Sequence, residues 1–212
     1  LEIGTGWGAL ALRAAQRGCK VTTITLSKEQ FVFAQERFEK AGVSDMIELR
    51  LQDYRDLEGQ FDGIVSCEMI EAVGKEYLPS YFNKIRNCLR QGANAVLQAI
   101  TINDDRYDHY CRSCDWIQKH IFPGGHLPSL GAVTDHVLAA GDTRVVYVYS
   151  FGHHYAETLR RWFSSFNNRL AQLKSLGFDE KFQRKWNYYL SYCEAGFDAD
   201  LIDVKHIVIN RS

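Results

Sequence analysis

The first hundred residues alternate between short apolar runs and longer stretches in which apolar side chains recur at helical spacing. The runs predict buried strands at residues 1–3, 21–26, 46–51, 61–67 and 93–102. The stretches between them predict helices at residues 9–17, 28–41 and 77–89. Strands that alternate with helices are typical of a parallel sheet with helical crossovers. We therefore expect this half of the chain to form a parallel sheet of five strands.

The pattern changes after residue 102. Helices are predicted at residues 116–122, 155–176 and 179–195, and strands at 144–151 and 201–209. Ser129 is expected to cap a further short helix. The two late strands flank a pair of helices, which predicts a hairpin-like edge and an α/β fold with a seven-stranded, mostly parallel sheet. We expect one domain over residues 1–212, with residues 103–200 mainly a helical lid over the strand ends, where open α/β sheets bind ligands.

The first strand is followed by a turn with glycines at three alternate positions, Gly4, Gly6 and Gly8. Glycine lacks a Cβ, so the turn can tighten and the backbone can approach a ligand closely. The helix after the turn offers free N–H groups to a carboxylate or phosphate. The spacing differs from GxGxxG, in which the third glycine serves helix–strand packing. It therefore favours a methyl donor over a dinucleotide.

The ends of the second and third strands carry the next polar groups. Ser27 and Gln30 could hydrogen-bond a ribose, or form only the capping box of the following helix. Asp53 and Tyr54 could accept an adenine amino group and cover an adenine face. The candidate donor-binding residues are Gly4, Thr5, Gly6, Gly8, Thr25, Leu26, Ser27, Gln30, Gln52, Asp53 and Tyr54.

Composition excludes several classes of function. A formal net charge of −1 gives no electrostatic argument for a nucleic-acid partner. Six cysteines in 212 residues are too few for a secreted disulfide scaffold, so a reducing cytoplasm is expected. Cys111 and Cys114 form one CxxC, which fits two thiols on a helical turn better than a zinc site, and no metal ligands are predicted. Only one residue precedes Glu2 in the first strand, which predicts that an N-terminal region lies outside this chain.

Seven segments share their residues, in order, with one known family. They are EIGTGWG (2–8), TLSKEQ (25–30), LQDYRD (51–56), FDGIVS (61–66), IFPGGHLPS (121–129), HYAETL (154–159) and YYLSYC (188–193). Many methyltransferases share the glycine turn, whereas the fifth and seventh segments are specific. The chain thus resembles the cyclopropane-fatty-acyl-phospholipid synthase family over its whole length, with several segments similar to plant and other eukaryotic members.

The resemblance implies a Rossmann-like class I methyltransferase fold with S-adenosylmethionine as the donor. Enzymes of this family transfer a methylene to the cis double bond of a phospholipid acyl chain, which forms a cyclopropane ring. The alkene is a poor nucleophile, so it needs tight positioning, and the cation that forms must be kept from water. The aromatic side chains of the second half could stabilise that cation or simply pack the helices.

The resemblance also implies a bound bicarbonate that supports the deprotonation step. It assigns Glu71 and Tyr155 to this anion, and it places Cys193 beside the active site, where a cysteine is more often an apolar neighbour than a nucleophile. Bacterial members have a histidine where this chain has Gln98, which can donate a hydrogen bond but cannot take up a proton. The candidate catalytic residues are Glu71, Gln98, Tyr155 and Cys193.

Alternatives to this function stay open. A related methyltransferase acting on another lipid or a small molecule would keep the donor turn, and a non-catalytic module would bind donor or lipid without forming product. A phospholipid substrate predicts peripheral contact with a membrane through basic residues of the late helices, although a solvated charged face is the better explanation of the same residues. These residues are Arg160, Arg161, Arg169, Lys174, Lys181, Arg184 and Lys185. A homodimer is also compatible with the sequence.

Overall fold

Seven strands form one sheet in the computed structural model, which describes residues 1–212. The strands are β1 (Glu2–Ile3), β2 (Val21–Thr25), β3 (Ile47–Leu51), β4 (Phe61–Cys67), β5 (Leu89–Ile102), β6 (Thr143–Ser150) and β7 (Ile202–Arg211). Their order across the sheet is β3-β2-β1-β4-β5-β7-β6. Strands β1 to β5 are parallel, and β7 runs antiparallel to both β5 and β6. The predicted seven-stranded, mostly parallel sheet with an antiparallel edge is confirmed.

Nine helices connect and cover these strands. They are α1 (Ala9–Ala15), α2 (Lys28–Lys40), α3 (Leu78–Cys88), α4 (Asp104–Tyr110), α5 (Trp116–His120), α6 (Leu130–Ala139), α7 (Gly152–Asn167), α8 (Leu170–Ser175) and α9 (Glu180–Asp198). Ser129 caps α6 by accepting a hydrogen bond from the backbone N–H of Ala132, as predicted. None of the nine combines the length and the apolar character that crossing a bilayer demands.

Two predictions for the second half of the chain were wrong. The helix expected over residues 155–176 is broken, because α7 ends at Asn167 and α8 begins at Leu170. The side chain of Asn167 bonds to the Phe163 carbonyl and to Asn187, and such local side-chain bonding competes with helix continuation. The CxxC thiols also do not share a helical turn, since Cys111 follows α4 and Cys114 precedes α5; both are free.

Strand β5 begins four residues earlier than the expected start at residue 93. The helix α3 ends at Cys88 and the chain enters β5 directly at Leu89. Gly92, with φ 77°, was expected to stop the helix, but it lies where the β4–β5 register shifts between Phe61 and Gly63. The glycine therefore marks a bulge inside the strand.

The helices of the second half pack on the sheet in two separate parts. Strand β6 lies between α6 and α7, so the stretch predicted as a helical lid includes one strand of the sheet. Helices α7 and α9 enclose their own buried cluster, which reaches the sheet through β7. This cluster consists of Ala156, Leu159, Leu190, Phe197 and Val204. The packing sets α7 and α9 against the carboxyl end of β5, where Ile100 joins the same cluster.

Candidate active site

The three glycines of the first turn have different surroundings, although all three have a positive φ. A Cβ at Gly6 would meet no atom within 4 Å, so this position leaves open space for a ligand. A Cβ at Gly8 would lie 2.9 Å from the ring of Phe38, so Gly8 allows α1 to start close against α2. The third glycine of this turn therefore serves the packing of two helices. Gly4 lies close to the segment after β4, since a Cβ placed at Gly4 would be 3.4 Å from the Met69 side chain.

A buried carboxylate lies behind this turn. Glu2 is 3% exposed and accepts a hydrogen bond from the hydroxyl of Thr23, which also shares a 2.7 Å hydrogen bond with the hydroxyl of Thr5. The Thr5 side chain thus points into the sheet while its backbone remains in the turn. Burial raises the pKa of Glu2 to about 7, against the opposing effect of the Thr23 hydrogen bond. Glu2 was not predicted as a site residue, although an acid directly before a glycine turn was a signal.

The segment after β2 forms half of the predicted capping box. The Ser27 hydroxyl accepts from the backbone N–H of Gln30 at 3.2 Å. The Gln30 side chain does not return to Ser27; its Oε1 accepts from the Thr25 hydroxyl at 2.9 Å. The Nε2 of Gln30 is thus left for a ligand, beside Leu26, which is 69% exposed.

The segment after β3 has an acid held by an arginine. The Asp53 carboxylate accepts from the backbone and the guanidinium of Arg55, and the guanidinium holds the pKa of Asp53 below its usual value. Gln52 donates to the Asp56 carbonyl at 2.8 Å. The Tyr54 ring is half-buried and packs edge-on against Tyr81, with ring centroids 5.5 Å apart. The Tyr54 ring is thus engaged in packing and is poorly placed to cover an adenine face. Asp53 remains a candidate acceptor for the adenine amino group.

Four polar side chains from four elements meet at the carboxyl ends of β4 and β5. Glu68, the residue after β4, accepts from the Gln98 amide at 2.7 Å with one oxygen and from the Tyr155 hydroxyl at 3.0 Å with the other. His206 of β7 lies behind Gln98, with its Nε2 2.9 Å from the Gln98 Oε1. We call Glu68, Gln98, Tyr155 and His206 the carboxylate cluster. The sequence predicted Gln98 and Tyr155 as site residues but not Glu68 or His206.

Glu71 lies beside the cluster and completes the edge of the sheet. Strand β4 stops at Cys67, so the N–H of Ile100 on β5 lacks a strand partner and is bound by the Glu71 Oε1 at 2.6 Å. The Glu71 Oε2 is buried without any hydrogen-bond partner. Burial, together with the negative charge of Glu68, raises the pKa of Glu71 to about 7. The backbone N–H of His126, in the IFPGGHLPS segment, donates to the Glu71 carbonyl at 2.8 Å and fixes this turn.

Aromatic side chains of α7 and α9 form the wall above the cluster. The ring of Tyr155 packs on Phe197 and Trp162, with centroid distances of 5.0 and 6.1 Å. Cys193 packs in the same group as Tyr155 and Tyr189. Burial raises the pKa of the Cys193 thiol to about 12, so at neutral pH it is an uncharged apolar neighbour with no activated thiolate.

The structure allows a test of the two expected small molecules. The open space at Gly6 fits a donor that approaches the backbone. The donors expected to hold bicarbonate, Gln98 and Tyr155, both donate to Glu68 instead. A bicarbonate at this place would lack these donors and would lie against a second negative charge. The residues present therefore do not fit bicarbonate.

Comparison with known proteins assigns the chain to a family. A family model described as mycolic acid cyclopropane synthetase matches residues 1–207. The chain belongs to this family. The resemblance found in the sequence is thereby confirmed at the level of the family.

Individual relatives match nearly the whole chain. Tuberculostearic acid methyltransferase UfaA1 of Mycobacterium tuberculosis is 47% identical over 204 residues, which cover 96% of this chain and 48% of that protein. Cyclopropane-fatty-acyl-phospholipid synthase of Escherichia coli is 35% identical, over 100% of this chain and 53% of that protein. The chain thus spans about half the length of the curated relatives it matches.

A solved structure of the family has the same fold. Mycolic acid cyclopropane synthase CmaA1, complexed with SAH and CTAB, superposes with a TM-score of 0.89 at 28% identity, over 98% of this chain and 76% of that chain. The class I methyltransferase fold predicted from the sequence is confirmed. The roles of the individual site residues stay predictions.

Proposed function

We propose that this protein transfers a one-carbon unit from S-adenosylmethionine to the cis double bond of a phospholipid acyl chain and closes a cyclopropane ring. The observation that carries the proposal is the carboxylate cluster. It lies under an aromatic wall and beside the glycine turn, to which Met69 connects it. The similarity to the synthase of Escherichia coli supports the reaction class.

The donor would lie along the carboxyl ends of β1 to β3. The open backbone at Gly6 would receive it, the free Nε2 of Gln30 would contact the ribose, and Asp53 would accept from the adenine amino group. When bound, S-adenosylmethionine supplies an electrophilic methyl group on a sulfonium.

The residues of the chain itself would shelter and deprotonate the substrate. The faces of Tyr155, Trp162 and Phe197 can stabilise positive charge on the acyl chain and keep water from it. A carboxylate within the same cluster can accept a proton. The thiol of Cys193, neutral because it is buried, adds apolar surface.

A second candidate is methyl branching of the acyl chain, which the 47% identity to a relative named as a methyltransferase favours. The same cation would form, and loss of a proton would leave an alkene in place of the ring. Both reactions add one carbon and need one base, so the product decides between them.

The test uses the full-length protein with S-adenosylmethionine and vesicles of cis-unsaturated phospholipid. Fatty acid methyl esters are then measured by mass spectrometry before and after hydrogenation under conditions that leave cyclopropanes intact. A gain of one CH₂ without a remaining double bond supports ring closure, and the same gain with a double bond supports the branching reaction. Donor binding with no product from any lipid would indicate a non-catalytic module.

A phospholipid substrate requires peripheral contact with a membrane surface, which we place at the outer face of α7. Arg160 is unsuited to lipid contact, because Glu157, Glu194 and Asp198 bind it at 2.9 to 3.2 Å. Arg161 has a side chain 78% exposed and pairs with Glu157 only. We propose a cytoplasmic location at the membrane surface, and a homodimer is compatible with it.

A further inference from the structure

We propose that Glu68 is the base of the reaction, and that its carboxylate occupies the place the family resemblance gives to bicarbonate. This inference rests on the proposed function and names the group that takes the proton. It makes the protein independent of added bicarbonate.

The first argument is the way the carboxylate is held. Both Glu68 oxygens accept from neutral donors, the Gln98 amide at 2.7 Å and the Tyr155 hydroxyl at 3.0 Å. No Lys or Arg pairs with Glu68, so its negative charge is oriented without being neutralised. The Gln98 Oε1 can only accept, so the His206 Nε2 donates to it and fixes the orientation of the amide. Each Glu68 oxygen keeps a lone pair for a proton.

The second argument is the backbone of Glu68. Its φ of 49° lies in the left-handed region, which costs a residue with a Cβ about 1 kcal/mol. Glycine would adopt this conformation without strain. Strain of this kind persists where the surrounding structure enforces it, and it is concentrated at functional sites. The next residue, Met69, lies against Gly4 of the donor turn, so the strained position connects the carboxylate to the donor site.

The third argument is the charge of the neighbourhood. Glu71 is the nearest other acid in the chain, and burial raises its pKa to about 7. At neutral pH a large fraction of Glu71 is therefore protonated and adds no full second charge. The Glu68 carboxylate is thus the one full negative charge of the cluster. A bicarbonate beside it would add a second negative charge, and no Lys or Arg pairs with Glu68 to offset it.

The proton and electron pairs balance without another reactant. The alkene electron pair forms a bond to the methyl carbon as the bond from that carbon to sulfur breaks, which leaves S-adenosylhomocysteine and a cation on the other alkene carbon. A C–H bond of the added methyl then gives its proton to Glu68, and its electron pair closes the ring. Glu68 returns to the carboxylate by passing the proton to water.

The test compares wild type with Glu68→Gln and Glu68→Gly of the full-length protein, in buffer freed of carbon dioxide. We expect wild-type turnover to change less than about twofold on bicarbonate removal, and Glu68→Gln to lose about 100-fold or more in kcat with donor affinity by calorimetry unchanged. Glu68→Gly should regain turnover when bicarbonate or formate is added. Glu76→Gln, at an exposed acid nearby in the chain, is the matched control and should behave as wild type.

A binding measurement gives a readout that does not depend on turnover. Line broadening of ¹³C-bicarbonate in NMR spectra should appear with Glu68→Gly and not with wild type. Wild-type turnover that depends on bicarbonate, or a fully active Glu68→Gln, overturns the inference. If wild type forms no product from any lipid, the proposed function fails and the NMR measurement decides alone: bicarbonate bound to wild type overturns the place assigned to Glu68, and binding only to Glu68→Gly supports it.

Discussion

Replacing Glu71 by Gln should change how the stability of the protein depends on pH. The Oε1 of the new amide can still accept from the N–H of Ile100, so the edge of β5 keeps its partner. The substitution removes only the ionisable group, whose second oxygen is buried without a partner. It therefore isolates the effect of burying a carboxylate at this site.

The magnitude follows from the pKa in the two states. Glu71 titrates at 4.5 when unfolded and at about 7 when folded, because burial disfavours its charge. Between these values the folded state holds a proton that the unfolded state has lost, so the free energy of unfolding falls as pH rises through this window. The difference between the two pKa values of Glu71, at about 1.4 kcal/mol for each pH unit, corresponds to about 3 kcal/mol in the free energy of unfolding. This stability is fully present below pH 4.5 and is lost above about pH 7.

Urea unfolding of wild type and Glu71→Gln at a series of pH values from about 4 to 9 measures the effect. The difference between the two proteins should move by about 3 kcal/mol in favour of the variant as pH rises. A constant offset is expected besides, because the new amide N–H₂ takes the place of an oxygen that is buried without a hydrogen-bond partner. Glu2, which titrates in the same window, contributes equally to both proteins and cancels. Parallel curves for the two proteins would refute the reasoning, and Glu76→Gln serves as the exposed control.

Four further outcomes are expected. Gly8→Ala should lower the free energy of unfolding by about 3 kcal/mol, since its Cβ would meet Phe38 at 2.9 Å on a left-handed backbone. Gly6→Ala meets no atom and should cost only about 1 kcal/mol, while calorimetry shows weakened donor binding; equal effects of the two would contradict the separate roles. Arg161→Glu should reduce sedimentation with anionic vesicles, and unchanged sedimentation would exclude the membrane contact. Arg160→Glu should instead lower stability in urea unfolding, because it adds a fourth carboxylate to three.

The order of the strands along the chain could be predicted because it depends on local patterns, whereas no helix was predicted at α4. Apolar runs and helical spacing located every strand, and the caps at Ser27 and Ser129 formed as expected because cap chemistry involves only the next turn. The role of Gly92 was predicted wrongly because it does not depend on local sequence alone. A turn signal says that the backbone departs from regular structure there, but only pairing with β4 shows that the departure is a bulge.

The site could be predicted only in part. Glu71, Gln98 and Tyr155 were selected because the family resemblance assigns a role to each of these positions. Glu68 acts with partners 30 and 87 residues away, and no local pattern reports a contact over that distance. A signal existed in the two acids that directly follow β4, but the sequence analysis selected only the second.

The presence of Gln98 in this chain can be understood from its contact with Glu68. Taken alone, a glutamine where bacterial relatives are expected to carry a histidine weakens the case for catalysis, because an amide cannot take up a proton. In the structure the Gln98 amide orients the Glu68 carboxylate. Its N–H₂ donates to the Glu68 carboxylate, and its oxygen accepts from His206. A charged histidine at this position would form an ion pair with the carboxylate, whereas the amide orients the carboxylate without adding a positive charge. The exchange therefore fits a site in which the base belongs to the chain itself.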